Sequence, residues 1–246
     1  MHETLGHSKD CLCWGRRGFL KFAGTAAALG GGMLLTKNSY AAALTQQQRD
    51  NFTPQQIIEA MKDGNARFRS GERKDRNYLR EQESSAEGQY PKAALLSCID
   101  SRAPAEVIMD LGIGDIFNAR VAGNIEAANI LGSLEFACKV AGAKVVLVMG
   151  HTSCGAIKGA IDNVELGNLT GLLAKIKPAV QATSYAGERS AKNYDFVDAV
   201  ARTNVGMTIA NIRKQSPVLV DLESSGAIKI AGAMYDLKTG AVEFLP

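Results

Sequence analysis

Two short segments hold most of the residues able to do chemistry. One reads Ser97-Cys98-Ile99-Asp100-Ser101-Arg102, the other Gly150-His151-Thr152-Ser153-Cys154-Gly155. His151 and Cys154 are three apart, a spacing that lets a strand end and the turn after it aim an imidazole and a thiolate at one ion. Cys98, distant in sequence, supplies a third ligand of the same soft kind. Two cysteines and a histidine with an exchangeable fourth position form a catalytic zinc arrangement, whereas structural sites close with four fixed ligands. Thiolates favour zinc over magnesium or calcium. The plainer alternatives are a core histidine, buried thiols or a Cys98–Cys154 bridge. Asp100 and Arg102 are two apart, so a turning backbone brings carboxylate and guanidinium together. The pair is either an ordinary ion pair or, beside a metal ligand, a means of keeping Asp100 ionised and oriented. Asp100 then accepts a hydrogen bond from metal-bound water, or binds the metal itself once released from Arg102. Cys138 falls inside a helical pattern beside Leu134 and Ala141 and reads as a small core residue.

These segments need elements to hold them. Ala93–Ile99 is a short apolar run fit for a buried strand, and Lys144–Gly150 is a valine-rich one closed by glycine. Ile116–Ala122 and Ala227–Leu237 read as further strands, as does Val218–Leu222. Helical patterns cover 104–111, 130–141, 154–161, 169–182 and 193–214. Thr53-Pro54-Gln55-Gln56 starts another helix, with Thr as N-cap, Pro at the first position and Gln at the capping-box position. Residues 44–52 read as a polar linker and 69–91 as a charged surface connection. Lys238-Thr239-Gly240 turns the chain into a terminal antiparallel hairpin over 241–245. Strands alternating with helices give an α/β fold, a mostly parallel sheet with helices on both faces. Both chemical segments follow predicted strands, and the carboxyl ends of strands are where such sheets bind ligands.

The N-terminus reads as an address. Arg16-Arg17 precede Phe19-Leu20-Lys21, an apolar stretch runs to Leu35, and Ser39-Tyr40-Ala41-Ala42-Ala43 offers small-x-small cleavage sites. This is the layout of a secretory leader, and the paired arginines resemble a twin-arginine signal. The expected division is an export signal over 1–43, cleaved after Ala41 or Ala43, and one domain over 44–246, exported or periplasmic and meeting the membrane only in transit. Residues 1–43 carry five of the chain's 28 basic and two of its 25 acidic residues, so the remainder is formally neutral. That removes the electrostatic footprint of a nucleic-acid binder. At 246 residues, 46% hydrophobic, the chain can bury a core without disulfides. The exported part keeps Cys98, Cys138 and Cys154 and one histidine, His151.

Cys98-Ile99-Asp100-Ser101-Arg102 and His151-Thr152-Ser153-Cys154-Gly155 together resemble the two signature segments of the β-class carbonic anhydrases. Asn65-Ala66-Arg67-Phe68 is similar to that family's N-terminal helix motif, and Arg120-Val121-Ala122-Gly123-Asn124 to its central strand-to-loop segment. The resemblance runs from about Phe52 to the C-terminus. It implies one zinc per chain, on Cys98, His151 and Cys154, and reversible hydration of carbon dioxide to bicarbonate and a proton by zinc-bound hydroxide oriented by Asp100 and Arg102. In members that rest closed, the residue matching Asp100 is the fourth ligand and a tryptophan stands where this chain has Leu95. Here Gln89 matches the glutamine of the open type and is expected to donate a hydrogen bond to bicarbonate. Phe117 and Ala122 match positions lining the carbon dioxide pocket. Members are dimers or multiples of dimers. The alternatives are hydrolysis of a carbon dioxide analogue, carbonyl sulfide or carbon disulfide, on the same fold, or a non-enzymatic exported zinc-binding protein. The latter would have no use for an Asp–Arg pair beside the ligands.

Overall fold

The computed structural model describes residues 42–246. The expected leader, apart from its last two residues, lies outside the described residues. At the centre are four parallel strands, β1 (Ala93–Ser97), β2 (Ile116–Arg120), β3 (Val145–His151) and β4 (Lys229–Tyr235). A fifth, β5 (Val242–Phe244), pairs antiparallel with β4 as the terminal hairpin. The order is β2-β1-β3-β4-β5. Every residue of β1 and β3 is buried, as expected of parallel strands covered on both faces.

The side-chain alternation of these strands builds two cores. Leu96, Val146 and Val148 face Leu173, Ile176, Phe196 and Val200. Leu95, Leu147 and Met149 face Ile57, Ile58, Met61 and Met109 on the other side. The first layer is supplied mainly by α7 (Gly167–Ala182) and α8 (Tyr194–Gln215), the second by α2 (Pro54–Ser70). The start of α2 is the expected capping box, Thr53 with Gln56, and Gly71 ends it in the left-handed conformation at φ 79°. Within α2, Asn65 ties the helix to two other segments, the end of α4 (Ala105–Ile108) and the terminal hairpin. Its Nδ2 donates to Ile108 O at 2.9 Å and Gly240 O at 2.8 Å, and its Oδ1 accepts from Val242 N at 2.9 Å.

Three expectations are corrected. Residues 44–52 are not all linker: α1 (Gln46–Asp50) forms there, with Thr45 capping it and Arg49 buried. The surface connection over 69–91 contains α3 (Tyr78–Ser85), capped by Asn77 and anchored by buried Glu81. Val218–Leu222 is not a strand but part of α9 (Pro217–Ser224). Ser216 caps that helix by accepting from Leu219 N, and Pro217 stands at its first turn. The capping signal outweighs the β-propensity of Val218 and Val220. The other predicted elements form close to where they were placed: α4 (Ala105–Ile108), α5 (Ala128–Glu135) continued by a π turn (Phe136–Val140), and α6 (Gly155–Ile161). Among the described residues no helix is long and apolar enough to cross a membrane.

Candidate metal centre

The two chemical segments meet because β1 and β3 are neighbours in register, with Ser97 opposite Met149. Cys98 leaves the end of β1, His151 ends β3, and Cys154 is the N-cap of α6. All three are buried, and their ligand atoms lie within 4.8 Å of one another. Cys98 Sγ and Cys154 Sγ are 4.0 Å apart, twice a disulfide bond, and both thiols are free. Two sulfurs each ~2.3 Å from a tetrahedral zinc would lie at about this separation.

The donor set fits the ion in two further respects. His151 Nδ1 is 2.9 Å from Thr152 O. A carbonyl only accepts, so Nδ1 carries a proton, and in the neutral imidazole Nε2 keeps its lone pair. Nε2 is buried and has no hydrogen-bond partner among the described residues, and such an orphan costs free energy unless something takes the lone pair. The two sulfurs also depend on each other. The Cys154 thiol beside it holds Cys98 low, helped by Gly123 N at 3.4 Å. The same contact and burial push Cys154 up. One sulfur is thus favoured as thiolate and the other as thiol, and holding both as thiolates in this pocket takes a cation between them.

Beside the ligands, Asp100 is gripped by Arg102. Its Oδ1 accepts from Arg102 N and Nε, both at 2.9 Å, and its Oδ2 from Nη2 at 2.8 Å. The Arg102 hydrogen bonds hold the carboxyl well below the usual carboxylate range. Asp100 Oδ2 also lies 3.8 Å from His151 Nε2. The carboxylate is thus ionised, oriented and next to the ligand cluster.

Residues that carried no assigned role in the sequence support this arrangement. Arg120 donates from Nε to Cys98 O at 2.9 Å and from Nη2 to Asp100 O at 2.5 Å, fixing the turn between ligand and carboxylate. Asn204 donates to Gly123 O at 2.8 Å. Gly123 sits at φ 72°, and a Cβ there would stand 2.5 Å from Ile176 Cδ1, so only glycine brings this N–H to the sulfur. Asp198 accepts from Ser153 N at 2.7 Å.

The expected substrate-binding residues are only partly assembled. Ala122 opens the short 3₁₀ turn that carries Gly123, close to Cys98. Phe117 lies on β2 opposite Ala94, well before the strand end, where its ring meets Phe136 edge-on at 6.1 Å. It lines a groove of about 660 Å³ along the open side of β2. Gln89 is exposed on the segment entering β1, at the opposite end of the sheet from Cys98. One chain alone does not bring Gln89 or Phe117 to the cluster.

Residues 93–242 match the family model described as "Carbonic anhydrase". A carbonic anhydrase of Mycolicibacterium smegmatis is 32% identical over 195 residues, covering 78% of this chain and 94% of that protein. Carbonic anhydrase 2 of Mycobacterium tuberculosis is 32% identical over 196 residues, covering 77% and 92%. The solved β-carbonic anhydrase of Coccomyxa, in complex with acetazolamide, superposes with a TM-score of 0.60 at 25% identity, covering 66% of this chain and 75% of that one.

Proposed function

Because the chain belongs to the β-class carbonic anhydrase family, whose members catalyse the reversible hydration of carbon dioxide, we propose that it does so with one zinc ion held by Cys98, His151 and Cys154. The observation that carries the metal is the buried Nε2 lone pair of His151 facing two sulfurs 4.0 Å apart. When bound, zinc supplies a Lewis acid that lowers the pKa of water to about 7. Cys98 and Cys154 supply the thiolate charge. Thr152 O fixes the His151 tautomer, which keeps Nε2 available as a donor.

Asp100 supplies orientation. Ionised, it can only accept hydrogen bonds. Its Oδ2, on the side facing His151, accepts the O–H of the attacking water and leaves an oxygen lone pair turned toward carbon dioxide. Arg102 holds Asp100 away from the ligand role, so the site is of the open type, with three protein ligands. Leu95, fully buried, occupies the position of the closed type's tryptophan.

Gln89 and Phe117 reach a site in the second copy of a homodimer. Among the described residues β2 is the sheet edge, with one side of its backbone unpaired. A two-fold axis at that edge would pair β2 with its copy in antiparallel sense. The entry end of one chain, with Gln89 and Phe117, then lies beside the exit end of the other, with Cys98 and Asp100. Gln89 donates to bicarbonate there, while Phe117 and Ala122 give the apolar wall for carbon dioxide. Residues 1–43 act as a twin-arginine-type signal to the periplasm or beyond, and that route carries folded protein, so zinc can be inserted in the reducing cytoplasm.

Stopped-flow hydration of carbon dioxide with a pH indicator tests the function. The zinc-loaded protein accelerates proton release, and His151→Ala loses both the metal and the acceleration. A zinc-loaded protein without hydration activity would overturn the reading.

A further inference from the structure

His151 and Cys154 can face one ion only if the backbone between them reverses, because residues three apart on an extended strand point to opposite faces. Ser153 makes the reversal. Its φ of 55° lies in the left-handed region. That conformation strains a residue with a Cβ and persists only where the surroundings over-determine it. On one side the turn is fastened to the sheet. Thr152 N donates to Tyr235 O at 3.0 Å, and Thr152 Oγ1 accepts from Leu237 N at 3.0 Å.

On the other side the Ser153 N–H donates to one side chain, Asp198 Oδ1, at 2.7 Å. Asp198 stands on α8 between Phe196 and Val197 on one side and Val200 on the other, all fully buried, so the carboxylate projects from a rigid element. It borders a cavity of about 420 Å³ together with Thr152, Arg202, Asp236 and Glu243. None of these neighbours is free to replace it. Arg202 is paired with Glu243 at 2.6 Å, and Asp236 Oδ1 accepts from Lys238 N at 2.7 Å.

We infer that Asp198 is a positioning residue for the metal-binding turn: its Oδ1 holds the Ser153 N–H, fixes the left-handed residue, and so sets the separation of His151 Nε2 and Cys154 Sγ. The inference rests on the zinc reading above. The effect belongs to the acceptor oxygen and its reach. Asparagine offers an oxygen at the same reach without charge, glutamate keeps the charge but moves the oxygen one methylene further, and alanine has neither.

The test measures Zn²⁺ affinity of the full chain by competition with a chromophoric chelator, and the visible spectrum of the Co²⁺-substituted protein. Partners outside the ligand set are worth 10–100-fold in metal affinity. Asp198→Ala and Asp198→Glu should therefore bind Zn²⁺ about 10–100-fold more weakly, with an altered Co²⁺ spectrum, while Asp198→Asn stays close to wild type. Adding Ser153→Gly to Asp198→Ala, which lets the turn take positive φ without a Cβ, should recover part of the loss. If the alanine variant does not fold, the asparagine and glutamate variants make the comparison. Wild-type affinity and spectrum in both the alanine and glutamate variants would overturn the inference, as would an asparagine variant as weak as alanine. If the wild type itself binds no zinc, the zinc reading falls first and the inference with it.

Discussion

The division of labour between ligands and carboxylate makes the sharpest residue-level prediction. The Asp100 side chain spends its hydrogen bonds on Arg102, and the contacts that tie residue 100 to the ligand cluster are made by its backbone, which asparagine keeps. Asp100→Asn should keep its zinc yet lose hydration activity by at least about 10²-fold, the size of effect a misoriented reactant produces. Cys154→Ser should lose the metal. Metal analysis and kinetics on the same samples check this; equal zinc loss in both variants would make Asp100 an obligatory ligand. The His151–Cys154 spacing and the Asp100–Arg102 pair were legible in the sequence because each is a short-range motif beside a strand end, and Cys98 joined them as the thiol at the other strand end. Arg120 stood in a recognised segment without a role, and Asn204 and Asp198 were not singled out at all. They act across 20 or more intervening residues, on backbone atoms whose placement only the fold determines. Cys138 is the small core residue expected, and burial pushes its thiol up to about 12.

At the level of elements, the second layer hangs on a charged junction. Asp110 is fully buried, at a φ of 49°, and accepts from Arg67 Nε of α2 at 2.6 Å and from Lys74 N at 3.2 Å. Arg76 donates to its backbone oxygen. Burial works to raise the Asp110 carboxyl, but the hydrogen bonds from Arg67 and Lys74 N and the charges of Arg67 and Arg76 together outweigh it and leave it below its ordinary value. A group with a depressed folded pKa stabilises the fold above its unfolded value, near 3.9, and loses that contribution as pH falls through the folded value. Asp110→Asn should cost about 3 kcal/mol at neutral pH, and the gap to wild type should close below about pH 4. Urea unfolding at several pH values reads this directly; a pH-independent gap would contradict it. The Asn65-Ala66-Arg67-Phe68 motif was visible in the sequence, but the partners of Asn65 and Arg67 were not. The strands β1 and β3 were legible because double-sided burial demands unbroken apolar runs. The helices α1 and α3 were hidden because their anchors, Arg49 and Glu81, look like surface residues, and in α9 three consecutive apolar residues imitated a strand.

For the whole molecule, two expectations concern what lies outside a single chain. The first is the second copy. Phe136 is half-exposed beside Phe117 in the groove along β2, so Phe136→Glu should place a charge in the proposed interface and shift the protein toward monomer in sedimentation. Because Gln89 and Phe117 would then leave the site, activity should fall with it; a fully active monomer would contradict the shared site. The second is the proton. Each turnover leaves one, and imidazole, the usual shuttle near neutral pH, exists within residues 44–246 only as His151, whose Nε2 is committed to the ligand cluster. Turnover at high carbon dioxide should therefore rise with the concentration of an imidazole-type buffer while kcat/KM barely moves. A kcat independent of buffer would reveal an internal route.

The central claim is that one zinc on Cys98, His151 and Cys154 makes this chain a carbonic anhydrase. Titrating Zn²⁺ into the metal-free protein while following carbon dioxide hydration by stopped flow tests it most directly. The rate should climb linearly and break at one equivalent per chain. Full occupancy without hydration above the buffer rate, or a rate that keeps climbing past one equivalent, would contradict it.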